Sequence, residues 1–120
     1  MKKIFIAILF LLLITGCSAG SYTDVTVDEA KEMIDSGEVE VLDVRTPEEF
    51  AAGHIPGAKL IPLQVLESML SELDKDQKYV VVCRSGNRST EASGILAESG
   101  FKNVFNMNGG MNEWKFDIEL

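Results

Sequence analysis

The sequence predicts an α/β domain whose central, mainly parallel sheet carries helices on both faces. Three observations support this. Short β-branched runs alternate with helix-spaced apolar residues from residue 25 onward. Two segments, Thr26 to Glu29 and Thr46 to Glu49, have the form of capping boxes and mark helix starts. Tyr79-Val80-Val81-Val82 is continuously apolar, which suits a central parallel strand covered on both sides.

The elements follow in order. Behind the first capping box, Ala30, Met33 and Ile34 recur at helical spacing, and Gly37 supplies a stop. Residues 39–44 (VEVLDV) read as a strand entering the core. Pro47 stands at the first position of a short helix predicted to run to about Ala52. The turn His54-Ile55-Pro56-Gly57-Ala58 leads to a short strand at Leu60-Ile61. Leu66, Met69, Leu70 and Leu73 predict a helix from about Gln64 to Leu73. After the strand at 79–82 comes a loop at 83–88, then a helix marked by Ala92, Ile95, Leu96 and Ser99 and ended by Gly100. Val104-Phe105 forms a further strand, and Gly109-Gly110 opens a last short helix expected to contain Trp114.

A different kind of segment precedes this domain. Residues 4–14 are an unbroken apolar run of 11, after Met1-Lys2-Lys3 and before Thr15-Gly16-Cys17. A spanning helix needs about 20 apolar residues, whereas a basic start, a short apolar core and small residues at the cut describe a secretory signal peptide. Ile14-Thr15-Gly16-Cys17 resembles the bacterial lipobox, whose cysteine is lipidated and becomes the first mature residue. The expected organisation is a signal peptide over 1–16, a small polar tether over 17–24 beginning at lipidated Cys17, and a domain over 25–120. The mature protein would be extracytoplasmic and touch the membrane through its lipid alone. Acyl chains hold firmly, because each buried CH₂ contributes about 0.8 kcal/mol.

The chain carries 11 Lys and Arg against 19 Asp and Glu, a formal charge of −8. Removing residues 1–16 takes away two lysines, leaving 9 against 19 and a charge of −10. Nucleic acid or an anionic membrane surface would repel such a body. With Cys17 acylated, Cys83 is the single remaining thiol, so no disulfide can form within the chain. A free cysteine in an oxidising compartment points to a reactive thiol.

Cys83-Arg84-Ser85-Gly86-Asn87-Arg88-Ser89 lies between the most apolar strand and a helix, where parallel sheets place ligands. Backbone N–H groups there favour an anion. Together with two guanidinium groups they would depress the thiol pKa and produce a thiolate without a histidine base. Gly86 allows a tight loop, and Ser89 is placed to cap the following helix. The two arginines argue against burial of Cys83 in an apolar core.

Four motifs in register carry a resemblance to the single-domain rhodanese family of thiosulfate sulfurtransferases. They are Asp43-Val44-Arg45-Thr46-Pro47-Glu48-Glu49-Phe50, Gly53-His54-Ile55-Pro56-Gly57-Ala58, Cys83 through Ser89, and Gly109-Gly110-Met111 with Trp114. The resemblance implies a rhodanese-like domain in which Cys83 takes the outer sulfur of a donor, becomes a persulfide and passes the sulfur to a thiol or cyanide. The loop Arg84, Ser85, Gly86, Asn87 and Arg88 would cradle it, the two arginines attracting a small anionic donor such as thiosulfate. Cysteine phosphatases use Cys-x5-Arg, which would require arginine at position 89, where this chain has Ser89.

Asp43 and Arg45 end a strand on the presumed site side and are candidates for supporting positions. An ion pair between Arg45 and Glu49 is the simpler expectation. His54, the only histidine, is read as structural; no metal site and no cofactor are implied. Trp114 and Phe50 are expected core anchors, and Met107 and Met111 packing residues. The chain lacks the Gly-x-Pro tail common in the family. A monomer is expected. Two other functions are compatible with these residues: a non-catalytic rhodanese-fold binding module, and a sulfur carrier serving a protein thiol outside the cell.

Overall fold

The computed structural model describes residues 20–120. The expected signal peptide and Cys17 lie outside the described residues. Five parallel strands form one sheet in the order β1-β5-β4-β2-β3, with β1 at Thr23–Val25, β2 at Val39–Asp43, β3 at Lys59–Leu60, β4 at Lys78–Val82 and β5 at Asn103–Met107. β1 was not foreseen and corrects the tether boundary, since Thr23 and Asp24 pair with Phe105 and Asn106. Its three residues are too short to register as a strand by alternation; the edge of β5 supplies the pairing.

Helices cover both faces, as expected. On one side α1 (Val27–Ser36) contributes Val27 and Ala30 to a cluster with Val25, Val41, Ile55, Val80, Val82 and Met107. On the other, α4 (Asn87–Glu98) contributes Ala92 and Leu96 to a cluster with Leu42, Val44, Tyr79, Val81 and Phe101. The alternation Val80/Val82 against Tyr79/Val81 follows from the two-residue period of a strand, which gives β4 an apolar side chain for each layer. Thr26 forms the capping box with Glu29, and Gly37 ends α1 in the left-handed region.

The helix predicted at Gln64 to Leu73 is instead three short pieces: a 3₁₀ turn at Leu63–Val65, α3 at Leu66–Met69 and a second 3₁₀ turn at Leu70–Glu72. Leu63, Leu66, Met69, Leu70 and Leu73 all face the same cluster, so the apolar stripe that the spacing indicates is kept although the segment is not one continuous α-helix. No side chain caps any of these pieces. The short strand lies one residue earlier than expected. Trp114 follows α5 (Gly110–Glu113) instead of lying within it, half-buried against the α1 layer.

α2 (Pro47–Ala51) starts at the second capping box. Phe50 does not anchor the core; it stacks on His54, ring centroids 3.6 Å apart and planes within 5°. His54 Nδ1 also lies 2.9 Å from the Phe50 carbonyl oxygen, and its backbone exchanges two hydrogen bonds with Glu119. These contacts hold the C-terminal segment around Glu119 against His54.

Candidate active site

Because every strand is parallel, the loops after β2, β4 and β5 gather at one end of the sheet. Three of the sequence motifs meet there. β4 ends at Val82, so Cys83 stands at the carboxyl end of the central strand and before the N-terminus of α4, with β2 and β5 on either side.

Cys83 is 1% exposed and belongs to the apolar cluster beneath α4, which overturns the expectation that its arginines would keep it out of the core. The reason is that the arginine side chains leave the loop outward while the sulfur points in. Arg84 is 59% exposed at its side chain. Above the sulfur the backbone turns sharply at Gly86, φ 109°, a conformation that favours glycine. The Gly86 N–H donates to Cys83 Sγ at 3.0 Å, and the thiol reaches the Ser89 hydroxyl at 3.5 Å.

Burial pushes the Cys83 thiol up. The Ser89 hydroxyl and the amides of Ser89, Gly86 and Ser85 outweigh it, so the thiol lies below its ordinary value. Ser89 therefore does not cap α4 as expected. The N-cap position is Gly86, and the Ser89 hydroxyl donates back to the Gly86 carbonyl at 3.2 Å, one turn inside the helix. Of the remaining loop residues, Ser85 and Asn87 present exposed side chains; the amide of Ser85 is its contribution to the sulfur.

Asp43 and Arg45 sit together under the site. Asp43 is wholly buried and accepts from Arg45 Nη2 at 2.7 Å and from Nε at 2.9 and 3.1 Å, while Nη2 also donates to the Gly53 carbonyl at 2.9 Å. Arg45 is thus committed to Asp43, not to Glu49 as the sequence suggested. Two residues apart on an extended segment ending β2, the pair share one side of the chain, and this proximity outcompetes the helix residue.

Glu49 instead takes the loop arginine. Arg88 Nη1 donates to Glu49 Oε1 at 2.8 Å and Nη2 to Oε2 at 3.0 Å; Arg84 Nη1 stands 3.8 Å from the same carboxylate. The Arg88 bond is the largest influence on Glu49 and, with Thr46, lowers its pKa from 4.5 to about 2 against the opposing effect of burial. Sequence reasoning missed this role because the two residues lie 39 positions apart and meet only in the folded chain.

Gly110 was also missed as a site residue. With φ 58°, it lies so close to the loop that a Cβ would come 2.5 Å from the Arg84 oxygen and 2.6 Å from the Cys83 oxygen. The next two amides, Met111 N–H and Asn112 N–H, donate to those same carbonyls at 2.8 and 2.9 Å. A cleft of about 400 Å³ opens beside the loop between Arg45, Glu48, Glu49, Arg84, Met111 and Asn112. Among the described residues no cluster of His, Cys, Asp and Glu has the arrangement of a metal site, and no helix is long and apolar enough to cross a membrane.

The fold and the N-terminal motif both have counterparts among known proteins. The sequence profile described as a rhodanese-like domain matches residues 26–117, and that of a prokaryotic membrane lipoprotein lipid attachment site matches residues 1–18. The Bacillus subtilis protein YrkF, named as a candidate sulfur carrier, is 37% identical over 98 residues, covering 81% of this chain; the chain spans 53%, about half, of that relative. A sulfurtransferase of Allochromatium vinosum is 38% identical over 85 residues, 71% of this chain and 79% of its own. Among solved structures, a rhodanese-like domain protein from Staphylococcus aureus has a TM-score of 0.75 at 38% identity, covering 82% of this chain and 97% of its own.

Proposed function

The chain belongs to the rhodanese-like domain family, and from that premise we propose that it is a sulfurtransferase working through a persulfide on Cys83. The observation that carries this reading is the position of Cys83 Sγ at the bottom of a six-residue loop, with the Gly86 amide 3.0 Å away and the thiol pKa lowered by its hydrogen-bond donors. The thiolate attacks the outer sulfur of a small donor such as thiosulfate. A new S–S bond forms on Sγ as the donor's S–S bond breaks, and sulfite leaves with the electron pair. A thiol or cyanide then attacks the outer sulfur and regenerates the Cys83 thiolate.

The sulfur left on Sγ carries the negative charge. Loop amides and the adjacent start of α4 favour it there, as a preorganised anion site does. Arg84, Ser85, Gly86, Asn87 and Arg88 form the cradle, and Asp43 and Arg45 support it from below. No cofactor is required by this chemistry.

The lipid attachment motif supports an extracytoplasmic protein anchored by lipid. In the fuller reading residues 1–16 are removed, Cys17 carries the acyl chains, and the domain acts as a monomer on small substrates. The name of the Bacillus subtilis relative favours a second reading, in which the sulfur passes to a protein thiol.

The test is the mass of the purified chain after exposure to thiosulfate, together with sulfite release in the presence of cyanide. A gain of one sulfur atom, confined to Cys83 and absent in Cys83→Ser, is expected. Full sulfite release by Cys83→Ser would overturn the reading.

A further inference from the structure

The charge of the cleft differs from what the loop sequence suggests. Arg84 and Arg88 alone would offer two cations to a donor. In the folded protein, Arg88 has both terminal nitrogens on Glu49 and Arg45 is taken by Asp43. Of the three arginines around the loop, only Arg84 is loosely held and exposed, its nearest carboxylate oxygen at 3.8 Å. The cleft itself is lined by two arginines, Arg45 and Arg84, and two glutamates, Glu48 and Glu49.

Glu49 cannot turn away from this arrangement. Its Oε1 also accepts from the Thr46 N–H at 3.0 Å and the Thr46 hydroxyl at 3.1 Å, so the capping box that starts α2 fixes the carboxylate against the loop. It remains ionised throughout the neutral range, with a pKa of about 2.

Resting on the sulfur-transfer reading above, we propose that Glu49 is a specificity-determining residue that sets donor charge: by neutralising Arg88 it leaves one cation for the donor and favours a monoanionic sulfane-sulfur donor over a dianion. A dianion must approach a thiolate nucleophile with Arg84 as its one loosely held counter-charge, in a protein of net charge −8. Losing the Glu49 charge would free Arg88 to face the donor and help the dianion most.

Two donors isolate the effect. Thiosulfate and methanethiosulfonate both present a sulfane sulfur on a sulfonyl sulfur, and the second carries one negative charge fewer. Attack by Cys83 expels sulfite from the first and methanesulfinate from the second, each leaving with the electron pair of the broken S–S bond. Steady-state kinetics with cyanide as acceptor would be measured on the full chain, for the wild type, Glu49→Gln and Glu49→Asp.

The wild type is expected to have the higher kcat/KM for methanethiosulfonate. Glu49→Gln should raise thiosulfate kcat/KM relative to the monoanion roughly fivefold, the scale of one unit charge about 4 Å away screened as in bulk water. The change should appear mainly in the thiosulfate KM and weaken with added salt. Glu49→Asp, which keeps the charge, should keep the wild-type ratio. An unchanged ratio in Glu49→Gln, or equal losses with both donors, would assign Glu49 a purely structural role and overturn the proposal while leaving sulfur transfer intact. Absence of a Cys83 persulfide with either donor would overturn both.

Discussion

Arg45 closes a three-contact fork on Asp43 at the end of β2, with Nη2 at 2.7 Å and Nε at 2.9 and 3.1 Å. Asp43 is 0% and Arg45 6% exposed. Removing one partner strands a buried charge, so Asp43→Ala should cost about 3–5 kcal/mol of unfolding free energy. The double variant Asp43→Ala/Arg45→Met should cost less than the sum of the singles, because the second substitution removes the charge the first exposed. Urea unfolding monitored by Trp114 fluorescence measures both. Additive losses would show that the pair does not act as a unit.

Reactivity of Cys83 should depend on pH through its own thiol. Since the donors around the sulfur favour thiolate, the midpoint for alkylation by iodoacetamide should lie below that of a free cysteine. Reactivity is then retained as pH falls from the ordinary thiol value to the lowered one, and lost below it. Ser89→Ala removes the largest stabilising influence and leaves the Gly86 amide, so its midpoint should move up without reaching the free value. A midpoint unmoved in Ser89→Ala would place the stabilisation entirely in the backbone.

Much of this was legible in the chain. Both capping boxes, the apolar strand at 79–82 and the loop at 83–88 are local patterns, and local patterns survive folding when the tertiary contacts agree with them. The partners of Arg45 and Arg88 were not legible. Three carboxylates, at positions 43, 48 and 49, are near enough in sequence to compete for Arg45, and only the folded chain brings Arg88, 39 positions on, to Glu49. β1 and the 3₁₀ pieces escaped for a related reason: three residues carry too little periodicity, and their conformation is set by the neighbouring strand or cluster. The buried position of Cys83 was misjudged because sequence order does not say which way an arginine leaves a loop.

Acid should weaken the fold partly through Glu49. Its pKa is 4.5 unfolded and about 2 folded, so between these values the unfolded state binds more protons. By linkage, the Glu49 contribution is complete above pH 4.5 and is lost as pH falls toward 2. Glu49→Gln has no such proton to bind, so its stability should decline less steeply than the wild type across that window. Parallel urea denaturation series from pH 5 to about 2 provide the comparison. Identical slopes would show that the pair with Arg88 persists only as a contact, with no preference between charge states.

Gly110 and Gly57 both have positive φ, 58° and 82°, yet an alanine should affect them differently. At Gly57 nothing lies within 4 Å of a Cβ, so the cost is backbone strain alone, about 1 kcal/mol. At Gly110 the same atom meets the carbonyls of Cys83 and Arg84 at 2.5–2.6 Å, and these are backbone atoms that cannot swing aside. Either the loop or α5 must shift, breaking the bonds from Met111 and Asn112 that hold those carbonyls. Gly110→Ala should therefore lose on the order of 2–3 kcal/mol, adding unmet carbonyl groups to the strain. It should also slow persulfide formation on Cys83 at least tenfold, because a misplacement of about 1 Å in a reacting loop has effects of that size or larger. Gly57→Ala should keep wild-type rates. Mass spectrometry of Cys83 at timed intervals with thiosulfate distinguishes them, and a Gly110→Ala protein with the wild-type rate would show that the loop holds its shape without α5 pressed against it.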